Sequence, residues 1–179
     1  NNGLDFFENG TQRFDGGTNP AFNSVPFERW SHVAVVGDGS TIKGFIDGTE
    51  VVSAAYVAPT AGGGAMNFGN FNSPANGLQF TGLIDEARIH NTALTAADLN
   101  QRAQALIVPN PTTGLLSYYE FEGNGNDTAM NYVQNVGTVA DNLTAVGGTV
   151  NFVPGIVGQA ADLNGGFLTT SHSPDQDLS

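Results

Sequence analysis

The carboxylates of this chain include close pairs that could act as the acid and the nucleophile of a glycosidase. Retaining enzymes need two carboxyl groups about 5–5.5 Å apart, and β-glucanases present theirs on one strand in the pattern E-x-D-x-x-E. Asp85 and Glu86 are neighbours, so on a strand their side chains would point to opposite faces. Glu120 and Glu122 share a face, but Phe121 takes the place of the middle aspartate. We therefore predict that the chain is not an enzyme.

Asp127 is the best candidate for a metal ligand. It lies in the polar turn 123–128, whose amide and backbone oxygens could converge with its carboxylate on Ca²⁺, an ion that takes about six to eight oxygens. The alternative is an Asx-turn, in which the Asp127 side chain bonds to nearby backbone. His32, His90 and His172 have no metal-ligand spacing, so we predict no zinc site.

The charge balance excludes several classes of partner. The 179 residues include 17 Asp and Glu against 5 Lys and Arg, which gives a formal charge of −12 at pH 7. Nucleic acids and anionic membrane surfaces attract clustered cations, which this chain lacks. The sequence contains no run of about 18 apolar residues, the length that a helix needs to cross a bilayer. The absence of Cys removes disulfides and thiolate metal sites. Because the first residues have no signal-peptide pattern, we expect an internal piece of a longer protein.

Short apolar runs separated by Gly, Asn and Asp predict β-strands along nearly the whole chain. The dipeptide at 9–10, Asn-Gly, predicts a hairpin turn, because both central positions of a type I′ turn need a positive φ. Asp-Gly turns at 38–39 and 47–48 predict a meander of three strands. The predicted strands cover residues 4–8, 11–14, 30–36, 43–46, 50–54, 66–69, 83–90, 115–121, 143–146, 149–152, 159–163 and 166–170.

One short helix, at about residues 95–105, must fit among these strands. Thr95 can cap its first turn, with Asp98 three residues later as a capping-box variant. Two prolines then break the chain within 109–114. Many short strands with one helix predict an all-β fold, an antiparallel β-sandwich or jelly roll, in which Trp30 is expected to anchor the core.

Several motifs resemble the concanavalin A-like, laminin-G-like jelly rolls of bacterial exoproteins. Residues 30–36, 43–48 and 80–91 resemble that family's motifs W-H-H-V-A-V, L-Y-V-D-G and F-x-G-x-I-D-E-V-R-I-Y-N. Residues 115–131 resemble its opening strand and N-D-x-S-G-N loop, and residues 154–178 resemble the segments that follow. The resemblance implies a concanavalin A-like jelly roll of two antiparallel sheets.

The order of these motifs is reversed, because the family's opening segments stand at the C-terminal end. We therefore predict that residues 1–108 are the C-terminal half of one jelly roll, 109–114 a linker, and 115–179 the N-terminal half of another. The chain could be an excerpt of a tandem array, a fibre repeat completed by a neighbouring unit, or a circular permutant that lacks two inner strands. Open sheet edges recruit strands from other chains, so the predicted partners are neighbouring copies of the chain, joined head-to-tail into a filament.

The resemblance also implies a structural calcium site. In the family, the loop after the opening strand, a later Asn-Gly turn and the aspartate of I-D-E supply its ligands. Carried over, the ligands would be Asp127, Asn131, Asn164 and Asp85, although residues 129–130 depart from the family's Ser-Gly. The alternative for Asp85 is a bond to Arg88 or to a backbone amide.

The leading functional hypothesis is a non-catalytic extracellular module, supported by calcium, that serves adhesion or structure in a repetitive surface protein or filament. The resemblance implies a secreted or cell-surface location, with a bacterial source. The alternative is a carbohydrate-binding module of a secreted glycoside hydrolase, with glycans as partners. Its candidate site is Tyr56, Phe71 and the loop 67–76, which is rich in Asn and Gly.

Overall fold

The computed structural model describes residues 6–8, 11–14, 25–56, 65–70, 80–104, 114–131, 136–164 and 166–171. Every strand pair in these ranges is antiparallel, and the only α-helix in them is short, so the predicted all-β class is confirmed. The strands are β1 (Phe6–Glu8), β2 (Thr11–Phe14), β3 (Val33–Gly37), β4 (Thr41–Ile46), β5 (Thr49–Ala55), β6 (Asn67–Phe68), β7 (Leu83–Ile84), β8 (Ala87–His90), β9 (Leu115–Tyr119), β10 (Thr144–Val146), β11 (Asn151–Pro154), β12 (Gln159–Asp162) and β13 (Phe167–Thr169), and the helix is α1 (Ala96–Gln104).

The chain divides into two compact units. The first unit contains Asn1–Gly62 and Ala93–Val108, together with Ser179, and the second contains Gly63–Thr92 and Pro109–Leu178. The second unit thus combines residues from both sides of the predicted linker 109–114. The assignment of 1–108 and 115–179 to two different modules stays a prediction.

The first unit is built on the predicted meander, in which β4 lies between β3 and β5. Asp47 and the glycine after it both have a positive φ (50° and 76°), as the tight turn between β4 and β5 requires. At the other turn, the carboxylate of Asp38 accepts hydrogen bonds from the amides and hydroxyls of Ser40 and Thr41. The strands β1 and β2 also pair as predicted, and the Asn-Gly turn predicted between them lies outside the described residues.

The helix α1 begins with the predicted capping box. The Thr95 hydroxyl accepts a hydrogen bond from the amide of Asp98, and the Asp98 carboxylate accepts one from the amide of Thr95. Leu99 is buried, so the helix packs through its apolar side. None of the helices in the described ranges is long and apolar enough to span a membrane.

The second unit is a β-sandwich with a main apolar core and a smaller buried cluster of Leu115, Tyr118 and Ala129. Its strands pair in the orders β10–β13–β6, β11–β12–β7 and β8–β9. The ring of Phe68 on β6 meets the rings of Tyr119 and Phe121 edge-on, with centroids 5.6 and 6.3 Å apart. The buried members of the core are Tyr119, Phe121, Leu143, Ala161, Leu163 and Leu168. The core therefore draws side chains from the family-like opening segments and packs Ile84 and Ala87 against them.

Two sequence predictions need correction. Residues 83–90 do not form one strand, because the chain bends at 85–86 and Glu86 takes a left-handed φ of 55°. The bend lets the two short strands β7 and β8 join different neighbours. Trp30 is not a buried anchor, since 37% of its surface is exposed.

Candidate functional site

The most distinctive site of the second unit is the bent segment 83–90, here called the closing segment. Its first strand, β7, pairs with β12, so that Leu83 lies opposite Asp162. Its second strand, β8, pairs with β9, so that Ile89 lies opposite Ser117. A single short segment therefore adds a strand to two neighbours, both of which come from the C-terminal part of the chain.

Asp85 fastens the first side of the bend. Its Oδ2 accepts hydrogen bonds from the backbone amides of Ile156 (2.9 Å) and Val157 (3.1 Å). A Cβ on Gly155 would lie 2.5 Å from Asp85 Oδ2, so this close approach requires glycine. Burial raises the pKa of Asp85, with a further contribution from the charge of Glu122, although the two amides act in the opposite direction.

Glu86 fastens the second side through a cluster with Arg88 and Tyr118, here called the Glu86–Arg88–Tyr118 cluster. Glu86 Oε2 accepts hydrogen bonds from Tyr118 Oη and from Arg88 Nη2, the latter at 2.7 Å. Arg88 Nη2 also donates to Tyr118 Oη at 2.7 Å, and the guanidinium lies 4.2 Å from the centre of the Tyr118 ring. The side chains of Arg88 and Glu86 are only 12% and 19% exposed. The cluster is thus largely shielded from water.

Burial shapes the protonation of this cluster. It raises the pKa of Glu86, even though the hydrogen bond from Tyr118 and the charge of Arg88 both lower it. It also raises the pKa of Tyr118, and the hydrogen bond to Glu86 adds to that rise. The phenol therefore stays protonated and donates to the carboxylate.

The charge of the second unit makes Arg88 exceptional. In the sequence of this unit, nine Asp and Glu residues face a single Lys or Arg, which is Arg88. Seven of the nine lie in residues 109–178, which contain no Lys or Arg. The closing segment therefore brings the only guanidinium to a strongly anionic unit. Sequence reasoning missed this cluster, because nothing in the spacing relates Arg88 to Tyr118.

Asp127 is buried and bonded to backbone, as the Asx-turn alternative anticipated. Its Oδ1 accepts from the amides of Tyr118 and Ala129, both at 2.9 Å, and its Oδ2 accepts from the amide of Asp141 at 3.2 Å. These bonds tie the turn after β9 to the loop before β10. Both oxygens of the carboxylate are engaged by protein donors.

The other predicted calcium ligands are less constrained. Asp85 Oδ1 is buried and accepts no hydrogen bond from the described residues, so it has an oxygen for a cation. Asn131 and Asn164 are exposed. Asp85 contacts residues 156–157, whereas Asp127 contacts other segments, and no described group of three or more Asp, Glu or His side chains could hold a metal ion. The calcium site stays a prediction.

The first unit carries exposed aromatic residues that sequence reasoning did not select. Phe27 and Trp30 are 73% and 37% exposed. Between them in sequence, Arg29 donates a hydrogen bond to Asp47 at 2.7 Å. Of the predicted sugar-binding residues, Tyr56 is half-buried against Ile42, and Phe71 and most of its loop lie outside the described residues.

Comparison with known proteins identifies the family. The family model described as the concanavalin A-like lectin/glucanases superfamily (Laminin_G_3) matches residues 1–100, which is more than half of the chain. No curated protein and no solved structure matches the chain. Domains of this family are typically extracellular and non-catalytic, and many bind carbohydrate. The matched residues include both the meander of the first unit and the closing segment, and so the chain belongs to the concanavalin A-like, laminin-G-like superfamily.

Proposed function

We propose that the chain is a non-catalytic structural or adhesion module of an extracellular protein, and that it works joined head-to-tail to neighbouring copies of itself. One observation supports this most strongly. The closing segment 83–90, which lies within the family match, completes a unit whose other strands include β9 to β13. One chain thus carries both the closing segment and the strands that this segment completes, and the two have complementary surfaces.

Complementary parts on one chain can join different copies. Strand pairing relies on backbone hydrogen bonds, which are the same whether the added strand comes from the same chain or from a neighbour. When the closing part of one copy completes the opening part of the next, the contact is heterologous, and repetition of such contacts builds a filament. A Cys-free, acidic chain suits this role in an extracellular protein.

The acidic pairs of the second unit support a structural role. Asp85 and Glu86 use their carboxylates to hold the bend of the closing segment against backbone amides and Tyr118. Glu122 accepts a hydrogen bond from the amide of Gln159 at 3.2 Å. Three of the four carboxylates that sequence reasoning considered for hydrolysis, those of Asp85, Glu86 and Glu122, therefore connect segments of the chain.

Light scattering coupled to size exclusion, over a broad dilution series, tests the assembly. We expect species at multiples of the 18.6 kDa chain that dissociate on dilution. A folded chain, with the circular dichroism of a β protein, that stays at 18.6 kDa at every concentration would contradict the proposal.

Calcium binding is a separate part of the proposal. It is supported by the family resemblance and by the buried Oδ1 of Asp85, which accepts no hydrogen bond from the described residues. Ca²⁺ prefers carboxylate and carbonyl oxygens as ligands. The proposal concerns stabilisation of the second unit and no reaction.

A second candidate function is carbohydrate binding. It is favoured by the exposure of Phe27 and Trp30 beside the ion pair of Arg29 and Asp47, since sugars stack on aromatic faces and bond to charged planar groups. A glycan array tests it, and Trp30→Ala should abolish any signal. The matched control is Phe80→Ala, another exposed aromatic residue that lies in the second unit and should leave the signal unchanged. Equal loss in both variants, or no signal with the native chain, would contradict this candidate.

A further inference from the structure

We infer that the closing segment is the element that neighbouring copies exchange: residues 83–90 of one copy pair with β9 and β12 of the next. This inference rests on the proposed head-to-tail assembly and adds to it the donated segment, its receptor and the residues that match them. The partner is a second copy of this chain.

The receptor for the closing segment is complete within the C-terminal part of the chain. Strands β9 and β12 supply the backbone partners for β8 and β7. The backbone amides of Ile156 and Val157 donate hydrogen bonds to the Asp85 carboxylate. The Tyr118 hydroxyl bonds to both Glu86 and Arg88, and the Tyr118 ring contacts the Arg88 guanidinium. Every one of these receptor groups lies in 109–178.

Arg88 supplies a specific contact between the segment and the receptor. Residues 109–178 contain seven Asp and Glu and no Lys or Arg, and the segment 63–92 contributes Arg88 together with Asp85 and Glu86. Arg88 is held over the Tyr118 ring and bonded to its hydroxyl. The guanidinium of the donor thus meets an aromatic residue of an anionic receptor, and this contact offsets repulsion from the donor's own Asp85 and Glu86.

The division of the chain permits the exchange. Residues 93–108, which connect the closing segment to the receptor, belong to the first unit. The donor and the receptor are therefore joined through a different compact unit. Exchange of an identical element between copies keeps every contact of the closed unit and is a low-cost route to assembly.

Cysteine cross-linking tests the exchange directly, because the native chain has no Cys. Leu83 and Asp162 are paired in register on β7 and β12. Antiparallel partners have Cα atoms about 4.5–5.5 Å apart, within the range of a disulfide. A mixture of Leu83→Cys chains and Asp162→Cys chains should form a disulfide-linked dimer under mild oxidation. The double variant in one chain shows that the position can form the bond.

A register control separates exchange from random collision. Gln159→Cys places the thiol three residues along β12, roughly 10 Å from the register partner of Leu83 and beyond the reach of a disulfide. Leu83→Cys mixed with Gln159→Cys should give no dimer. Equal dimer yield from both mixtures would overturn the inference.

A second pair keeps the test decisive if the first variants do not fold. Ile89 and Ser117 are register partners on β8 and β9, and Ser117→Cys is nearly isosteric. Oligomers seen by light scattering without a dimer from either folded pair would refute the exchange and leave the proposed assembly standing. Loss of both the oligomers and the dimers would refute both.

Discussion

Arg88→Ala is the sharpest single test of how the second unit is held together. The substitution removes the hydrogen bonds that Arg88 donates to Glu86 and Tyr118, and it removes the guanidinium from the Tyr118 ring. It also leaves the carboxylate of Glu86 largely buried beside Tyr118 without its cation. We expect the second unit to lose stability and the first unit to keep it.

The size of the loss follows from burial. Breaking a fully buried ion pair costs about 3–5 kcal/mol, because one charge remains buried and unpaired. The Arg88 and Glu86 side chains keep 12% and 19% exposure, which moves the expected cost to the lower end. With the lost contact over Tyr118 included, we expect the free energy of unfolding of the second unit to fall by about 3 kcal/mol. At about 1.4 kcal/mol per tenfold, protected amides in this unit should exchange roughly a hundredfold faster.

Two probes separate the units in the assay. Hydrogen–deuterium exchange of β9 and β12 reports the second unit, and the fluorescence of Trp30, the chain's single tryptophan, reports the first. The matched control is Arg29→Ala, which breaks the exposed pair with Asp47 (56% and 35% exposed) and should cost less than about 1 kcal/mol.

A double variant tests the effect of the unpaired Glu86 carboxylate. Glu86→Gln combined with Arg88→Ala should restore part of the lost stability, because the glutamine is neutral. If the β9 amides of the Arg88→Ala variant exchange hydrogen at the native rate, the reasoning is refuted. A loss of stability that appears in the Trp30 signal alone would also refute it.

The two units should respond oppositely to acid. Burial raises the pKa of Asp85, so the contribution of this carboxyl to the stability of the second unit is present at low pH and is lost as the pH rises through that pKa. The Thr41 hydroxyl holds the pKa of Asp38 below its usual range, so the first unit loses stability as the pH falls below about 4. Urea unfolding at several pH values, followed by the two probes, checks this. If the free energy of unfolding changes with pH in the same direction for both units, the prediction is contradicted. Asp127→Ala should cost the second unit about 3–5 kcal/mol, because three buried amides lose a charged acceptor, and near-native exchange in β9 would refute that role. Added Ca²⁺ should raise the melting temperature and a chelator should reverse the rise, with both effects lost in Asp85→Asn; an unmoved melting temperature in the native chain would remove calcium from the proposal.

Local signals in the sequence predicted local structure well. The Asp-Gly turns at 38–39 and 47–48 define the meander, and the capping box at Thr95 and Asp98 starts the helix, because each feature depends on residues within a few positions. The family motifs likewise predicted the superfamily that the comparison identified. Such patterns need no knowledge of the distant parts of the chain.

Non-local features were beyond the sequence. The break at Glu86 follows from the need of one segment to join β9 and β12, a requirement that its own alternating pattern does not express. The Glu86–Arg88–Tyr118 cluster spans about thirty positions and leaves no spacing signal. The amides of Tyr118 and Asp141 bond to Asp127, and only folding brings them to it, so its sequence neighbours could not predict these bonds.

The placement of Arg88 bears on how the chain resists proteases that cut after Lys or Arg. Residues 103–179 offer no Lys or Arg, so proteases that cut after basic residues have no target in that stretch. The one basic residue of the second unit is bonded on β8 and mostly shielded, whereas Arg29 and Lys43 of the first unit are accessible. We therefore expect trypsin to cut the first unit before the second.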